Sequence, residues 1–233
     1  MQLCDLFEAR AYSLFNALEP FRDDPTVFVT FTDVLKVGLN PKSEWDDPLG
    51  IYCYPVSEMW DRYSPENVPF AGDRKYAFIM RATGSMCELQ AMEEGQLDAD
   101  VQRMVKKFSH LFYAPLGSED HTSLGERKEY FHASLLDWTS RRSDGESLWY
   151  TVQRMSSFIE NRFPNRDRKV VGSALLRACA YDGVVDRGES IISDNEPAQA
   201  VFLSTKAMQI LACVPNDLFT PLRPDFEKAP QRR

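Results

Sequence analysis

The chain is organised around the stretch YDGVVDRGESIISDNEPAQAVFLS, residues Tyr181 to Ser204. It holds three short runs of β-branched and apolar residues, at 184–185, 190–193 and 200–203, separated by Asp, Gly, Asn and Pro. The pattern predicts short strands joined by tight loops. Glu196 lies between the second and third runs, on a loop of the kind that often displays catalytic groups. The alternative is a solvated turn carboxylate, because such residues are common in turns for local hydrogen-bonding reasons.

Further strands and helices are predicted on both sides of this stretch. Compact β-type runs predict strands over 27–31 (VFVTF), 50–54 (GIYCY) and 75–81 (KYAFIMR). Helical spacing of apolar residues predicts helices over 2–18, 87–112, 147–163, 170–181 and 205–213. Gly95 weakens the helix over 87–112, so either one helix or two fits. The Gly-, Ser- and Asp-rich segment 114–128 predicts a loop, and residues 215–233 form a Pro- and charge-rich tail.

Composition limits the class of protein. With 43% hydrophobic and 27% charged residues, the 233-residue chain has the make-up of a soluble globular protein. The net charge of −8 argues against a phosphate-binding surface over the whole molecule. It leaves room for a local basic patch, such as Arg162, Arg166, Arg168 and Lys169. The sequence shows no secretory signal and no apolar run near the ~18 residues of a membrane span, so we expect a cytoplasmic protein without a membrane partner.

Several kinds of chemistry lack their sequence signals. The chain has no GxGxxG, GxxxxGK[ST], HExxH or GxSxG motif, which weakens dehydrogenase, NTPase, metalloprotease and α/β-hydrolase interpretations. The five cysteines are scattered without a CxxC pair and are expected to be reduced thiols. His121 and His132 have no partner at metal or triad spacing in the local sequence, and His110, at an apolar helix end, is expected to be structural. The sequence therefore predicts no metal site.

The strand over 50–54 has a second interpretation as a binding element. Gly50 begins the predicted strand, in which Tyr52 and Tyr54 share one face while Ile51 and Cys53 share the other. A residue without a Cβ lets a ligand come close to the backbone. The alternative is an edge strand whose aromatic residues pack on the core.

Three blocks of the sequence together resemble a known family. VFVTFTDVLKVGLNP, DDPLGIYCYP and the stretch from Tyr181 to Ser204 are similar, in this order, to the ADP-ribosyltransferases of phage and mobile-element polyvalent proteins. These belong to the diphtheria-toxin and poly(ADP-ribose) polymerase superfamily, and the blocks cover about a third of the chain. The resemblance implies an α+β fold with a split antiparallel β-sheet core and surrounding helices. It also implies one ADP-ribosyltransferase-like domain over 1–233, with a helical insertion at about 87–180 and a tail at 215–233.

The resemblance also implies a set of site residues. Gly50 and Tyr52 match the G-I-Y element, and Tyr63 matches a second tyrosine that stacks on nicotinamide. Glu196 matches the late catalytic glutamate, and Gln199 is a polar neighbour expected at the ribose or the acceptor. The chain departs from the family at Thr30, where the first core strand usually carries a His. A threonine offers one hydroxyl to a ribose but not the geometry or charge of an imidazole.

The implied activity is metal-free transfer of ADP-ribose from NAD, the co-substrate, to a macromolecular acceptor. Loss of nicotinamide develops oxocarbenium-like charge on the ribose, which a fixed carboxylate at Glu196 would stabilise in the transition state. The acidic composition favours a protein acceptor over nucleic acid, in the host-cell cytoplasm if the chain is phage-encoded. Two alternatives stay open: a catalytically silent module that binds NAD or a partner, which Thr30 favours, and an NAD glycohydrolase.

Overall fold

The structure is a computed structural model that describes residues 12–40, 47–58, 74–140, 143–193 and 198–216. The fold is mixed α+β: the described ranges contain seven β-strands, whose pairings are mostly antiparallel, together with α-helices. This confirms the α+β class expected from the sequence. The split sheet of an ADP-ribosyltransferase and the single such domain over 1–233 stay predictions.

Strands and helices are numbered in chain order. The strands are β1 (Val27–Thr32), β2 (Ile51–Pro55), β3 (Tyr76–Ala82), β4 (Met86–Glu88), β5 (Gly183–Asp186), β6 (Gln199–Phe202) and β7 (Met208–Pro215). The α-helices are α1 (Tyr12–Leu18), α2 (Gln96–Phe112), α3 (Leu124–Thr139), α4 (Asp144–Arg162) and α5 (Arg168–Ala178). The chain divides into two compact units. The first comprises Met1–Gly38, Cys53–Thr83 and Met208–Arg233, and the second comprises Leu39–Tyr52 and Gly84–Ala207.

The first unit is built on antiparallel strands. β1 pairs with β3 over its whole length, and β3 pairs with β7 with one irregularity in register between Ile79 and Met80. The end of β2 adds to the other side of β1, where Val29 faces Tyr54. Apolar side chains of these strands, of α1 and of the residue that follows β2 form a buried cluster: Leu14, Leu18, Val27, Val29, Tyr54, Val56, Ala77 and Ile79. Each fully buried large side chain of this kind contributes roughly 1.5–3 kcal/mol of hydrophobic free energy.

The second unit combines β4, β5 and β6 with the helices α2 to α5. β4 runs parallel to β5, while β5 and β6 form an antiparallel pair in which Asp186 faces Gln199. The rings of Phe112 and Phe131 stack with their centroids 4.5 Å apart in the helical part of the core. All four helices lie within 87–180, the segment for which the family resemblance implies a helical insertion. No helix in the described ranges is both long and apolar enough to cross a bilayer.

Most of the predicted strands and helices are confirmed, with shifts of a few residues at their ends. The strands predicted over 27–31, 50–54 and 75–81 correspond to β1, β2 and β3. The helices predicted over 147–163 and 170–181 correspond to α4 and α5. The predicted strand cores at 184–185 and 200–203 correspond to β5 and β6. These segments have strong periodicity or dense β-branched composition, which is the most dependable local signal.

Two predictions near the end of the chain are wrong. The helix predicted over 205–213 is a 3₁₀ turn at Thr205–Ala207 followed by β7, because these residues pair with β3 through such contacts as Phe78 with Cys213. Tertiary pairing here overrides the local helical spacing. The strand predicted over 190–193 is a loop with one bridge residue, Ser193. Its backbone N–H groups at Ile191 and Ile192 bind a carboxylate instead of a neighbouring strand.

Two more boundaries are misplaced in the middle of the chain. The segment 87–95 is not helical: it contains the end of β4 and a 3₁₀ turn, and α2 begins only after Gly95, which has a left-handed φ of 77°. The predicted loop 114–128 ends at Ser123, where α3 begins with a capping box formed by Ser123 and Glu126. The tail beyond Asn216 lies outside the described residues.

Candidate functional site

The backbone of the loop after β5 is hydrogen-bonded to one buried carboxylate, that of Asp186. Asp186 is fully buried, and its Oδ1 accepts hydrogen bonds from the backbone N–H groups of Gly188 and Glu189, both at 2.9 Å. Its Oδ2 accepts from the N–H groups of Ile191, at 2.5 Å, and Ile192, at 3.3 Å. Four donors of one short loop therefore converge on a single side chain. We call residues Asp186 to Ile192 the Asp186 loop.

Residues at the end of β4 and in the turn that follows it also form hydrogen bonds with this loop. Gln90 Nε2 donates to Asp186 Oδ1 at 2.5 Å, and Gln90 Oε1 accepts from the backbone N–H of Arg187 at 3.1 Å. The Arg187 guanidinium in turn donates to Glu88 Oε1 through Nε, at 3.2 Å, and Nη2, at 2.8 Å. The loop also holds Ser190 in the left-handed region, with φ of 57°. A conformation that side chains rarely adopt persists where the surrounding contacts determine it.

The loop leads into the segment that carries the predicted catalytic residue. Glu196, like the predicted stacking residue Tyr63, lies outside the described residues, so the proposed roles of both stay predictions. The chain is described again from Ala198, which is fully buried, and Gln199 follows as the first residue of β6. Gln199 is therefore the predicted site residue nearest in sequence to Glu196 within the described part of the chain.

Gln199 has an unusual environment for a polar side chain. The residue is 8% exposed and faces Asp186 across the β5–β6 ladder. Its Oε1 is buried and accepts no hydrogen bond from the residues that the structure describes. A buried polar atom without a partner costs about 1–3 kcal/mol relative to one that is satisfied. A ligand hydroxyl or N–H group would relieve that cost.

Gly50 lies directly against β6. A Cβ atom built on Gly50 would lie 2.2 Å from Val201 Cγ1 and 3.2 Å from the carbonyl oxygen of Phe202. No side chain fits at that separation, so this contact alone requires a glycine. The structure thus gives Gly50 a packing role, while the close approach of a ligand to its backbone stays a prediction.

The segment before Gly50 is hydrogen-bonded to the first two turns of α5. The backbone N–H of Leu49 donates to the carbonyl of Lys169 at 3.0 Å, and Ser173 Oγ donates to the carbonyl of Leu49 at 2.5 Å. Asp47 forms an ion pair with Arg168 at 2.8 Å. Burial raises the pKa of the Asp47 carboxyl, and the charge of Arg168 opposes that effect. These contacts fix the backbone that enters β2 and hence the position of Gly50.

The two remaining predicted residues in the described ranges differ in location. Tyr52 is half-buried, packs against the hydrophobic core of the second unit and donates its hydroxyl to the carbonyl of Pro48 at 3.0 Å. Thr30 belongs to the first unit, is 9% exposed on β1 and pairs with Phe78 of β3. The structure brings Gly50 into contact with β6, the strand that Gln199 begins, and places Tyr52 in the same unit.

A second buried polar network lies at the start of the stretch from Tyr181 to Ser204. Tyr181 donates its hydroxyl to Asp100 Oδ2 at 2.7 Å and accepts from Gln96 Nε2 at 2.5 Å. Arg103 Nη1 binds the other carboxylate oxygen of Asp100 at 2.7 Å. Burial, followed by the bond to Asp100, raises the pKa of Tyr181 well above its usual value, so the phenol stays neutral. This network stabilises the junction between α2 and the entry to β5.

Sequence reasoning missed the two residues that organise the loop, Asp186 and Gln90. From the sequence, Asp186 was recognisable only as a turn residue before Gly188. An Asp in a turn commonly accepts hydrogen bonds from backbone N–H groups that follow it, as Asp186 does from residues two and three positions later. Gln90 had no local signal, because its partner is 96 positions away.

Within the residues that the structure describes, no group of three His, Cys, Asp or Glu side chains is arranged to hold a metal ion. Comparison with protein-family models, curated protein sequences and solved structures finds no match for the chain.

Proposed function

We propose that the chain is an NAD-dependent mono-ADP-ribosyltransferase. One observation supports this proposal most directly: the Gly50–Tyr52 block contacts the strand that follows Glu196, through Gly50 and Val201. These two blocks are about 150 positions apart in the sequence, and the family resemblance requires them to meet. The unpartnered Oε1 of Gln199 lies on the same strand as that contact.

In this proposal the chain supplies charge and stacking and needs no metal. The glycosidic bond between ribose and nicotinamide breaks, its electron pair leaves with nicotinamide, and a nucleophile of the acceptor forms the new bond to the sugar and loses its proton. The Glu196 carboxylate stabilises the positive charge that develops on the ribose. Tyr52 and Tyr63 bind the cationic nicotinamide ring by stacking and cation–π attraction, each contributing about 0.5–2 kcal/mol.

The family resemblance adds roles for Gln199 and Thr30. The buried oxygen of Gln199 accepts a hydrogen bond from a ribose hydroxyl or from the acceptor. The Thr30 hydroxyl contacts the ribose, in the place where the family usually has an imidazole. The acceptor is a macromolecule, and the net charge of −8 favours a protein over a nucleic acid.

Thr30 favours a second candidate, a silent module that binds NAD or a partner without turnover. A hydroxyl cannot supply the charge or the two-sided hydrogen bonding of an imidazole. The two candidates differ in a measurable way. The silent module binds NAD without releasing nicotinamide, and a Thr30→His variant would gain activity.

The test is transfer of label from isotopically labelled NAD to the components of a cell lysate. We expect transfer that falls at least 100-fold in Glu196→Ala, the size of effect typical for loss of a charge-stabilising group. Glu189→Ala is the matched control, because Glu189 is an exposed carboxylate of the same region. Transfer that survives Glu196→Ala would contradict the assignment of this residue.

Two further measurements separate the alternatives. Release of nicotinamide from NAD without any acceptor indicates a glycohydrolase. Calorimetric binding of NAD without release, and with activity gained in Thr30→His, indicates the silent module. Absence of NAD binding in both the original protein and Thr30→His would refute the whole proposal.

A further inference from the structure

Helix α3 presents an apolar stripe to solvent. Tyr130 is 65% exposed and Leu136 is 70% exposed, and the exposed Ala133 lies between them. Residues three and four positions apart share one face of a helix, so these three side chains are neighbours. Adjoining them on the same face are Glu126, Glu129 and Asp137. We call these six residues the outer face of α3.

The opposite side of α3 packs against the hydrophobic core. Phe131 is fully buried, where its ring stacks on Phe112, and the ring of Trp138 lies 6.1 Å from that of Phe158. Phe131 is the one buried residue of this 16-residue helix. The apolar residues of the outer face therefore contribute nothing to this core.

The charges of α3 are sorted between its two sides. The acidic residues Glu126, Glu129 and Asp137 adjoin the apolar stripe. The basic residues are directed to the loop before the helix: Arg127 Nε donates to the carbonyl of Tyr113 at 3.0 Å, and Lys128 Nζ lies 5.4 Å above the ring of Tyr113.

One carboxylate of the outer face, that of Glu126, is held in its ionised form by a hydrogen bond. Glu126 accepts a hydrogen bond from the backbone N–H of Ser123 at 2.6 Å, which lowers the pKa of its carboxyl and keeps it ionised. A surface with an apolar centre and acidic margins favours a ligand that has an apolar face flanked by basic residues.

We infer that the outer face of α3 binds a basic amphipathic helix of a partner protein. The apolar face of such a helix would cover Tyr130, Ala133 and Leu136. Its Lys and Arg residues would pair with Glu126 and Glu129. Recognition of amphipathic helices by apolar surfaces with complementary charge is a recurring mode of peptide binding. The inference is independent of the proposed transferase activity.

Charge also argues against two other occupants. A second copy of the chain would bring together two identical acidic faces on molecules whose net charge is −8. An anionic lipid surface would be repelled for the same reason. A basic amphipathic helix is complementary both to the apolar stripe and to the acidic residues beside it.

The probe is a synthetic 18-residue peptide with leucines at helical spacing and lysines elsewhere, used with the full-length protein. Binding is followed by fluorescence anisotropy of the labelled peptide. One control peptide has the same composition in scrambled order, and a second keeps the leucine face but carries Glu in place of Lys. We expect the first peptide to bind at least tenfold more tightly than either control.

Variants of the protein locate the surface. Tyr130→Gln and Leu136→Gln should each weaken binding at least fivefold, and Glu129→Lys should weaken it and reduce its dependence on salt. The matched controls are Val170→Gln and Glu94→Lys, which change an exposed apolar residue and an exposed acidic residue elsewhere in the second unit. Circular dichroism and thermal unfolding confirm that each variant is folded.

Three results would overturn the inference. Equal binding of the scrambled peptide would indicate non-specific attraction to an acidic protein. Equal binding to Leu136→Gln and to the original chain would place the surface elsewhere. Concentration-dependent dimerisation in analytical ultracentrifugation, lost in Leu136→Gln, would identify a second copy as the occupant instead.

Discussion

Substitution of Asp186 by Asn tests whether one carboxylate holds the Asp186 loop. The change preserves the size of the side chain but replaces one carboxylate oxygen with an NH₂ group. Oδ1 accepts three hydrogen bonds, one of them from Gln90, and Oδ2 accepts two. In either orientation of the amide, at least two backbone N–H groups would face another donor. The variant therefore cannot keep the network intact.

The magnitude follows from the number of donors that lose their acceptor. Each buried donor left without a partner costs about 1–3 kcal/mol, and such costs are not fully additive when the loop can relax. A hydrogen bond to a charged group contributes about 1.5–3 kcal/mol. We expect Asp186→Asn to lower the free energy of unfolding by about 3–5 kcal/mol, out of a total of roughly 5–15 kcal/mol.

The assay is urea unfolding followed by circular dichroism, together with hydrogen exchange of single amides. Glu189→Gln is the matched control, because it neutralises an exposed carboxylate of the same loop and should change stability by less than about 0.5 kcal/mol. In Asp186→Asn, the amides of Ile191 and Ile192 should lose protection before the strands do. A loss of stability below about 1 kcal/mol with unchanged exchange at these amides would refute the reasoning.

The remaining predictions concern packing and thiol chemistry. Gly50→Ala should destabilise the protein by about 1–3 kcal/mol through its clash with Val201, and the loss should shrink when Val201 is also changed to Ala, as a double-mutant cycle of urea unfolding would measure. An additive cycle would contradict the contact. Iodoacetamide at pH 8 should label the exposed Cys213 but not Cys87 or Cys179, because burial raises the pKa of these thiols to about 11 and about 12. Peptide mass spectrometry checks this pattern, and rapid native labelling of Cys87 would contradict it.

Local sequence identified the segments in which packing and propensity agree. β1 and β3 are dense in β-branched and aromatic residues, and α4 has regular apolar spacing, so each was found within a few residues. β7 was mistaken for a helix because its state depends on hydrogen bonds to β3, more than 120 positions earlier in the chain. Pairing over such distances leaves little trace in a local window.

Helix α3 was missed for a related reason. Its large apolar residues lie on both sides, with Phe131 buried and Leu136 exposed, so they do not form the single stripe that marks a helix packed against a core. The exposed apolar residues that hid the helix are the ones on which the proposed binding of a basic helix rests.

The candidate site shows how one residue type supports two explanations. Gly50 was predicted as a place where a ligand approaches the backbone, and its contact with Val201 explains the absence of a side chain without any ligand. The two explanations separate in the Gly50→Ala, Val201→Ala pair. If the packing role is complete, the cost of Gly50→Ala shrinks for both stability and NAD binding when it is measured in the Val201→Ala background. If a ligand also needs the space, the cost in stability shrinks while the loss of NAD binding does not, because the added methyl group still stands beside the backbone that enters β2.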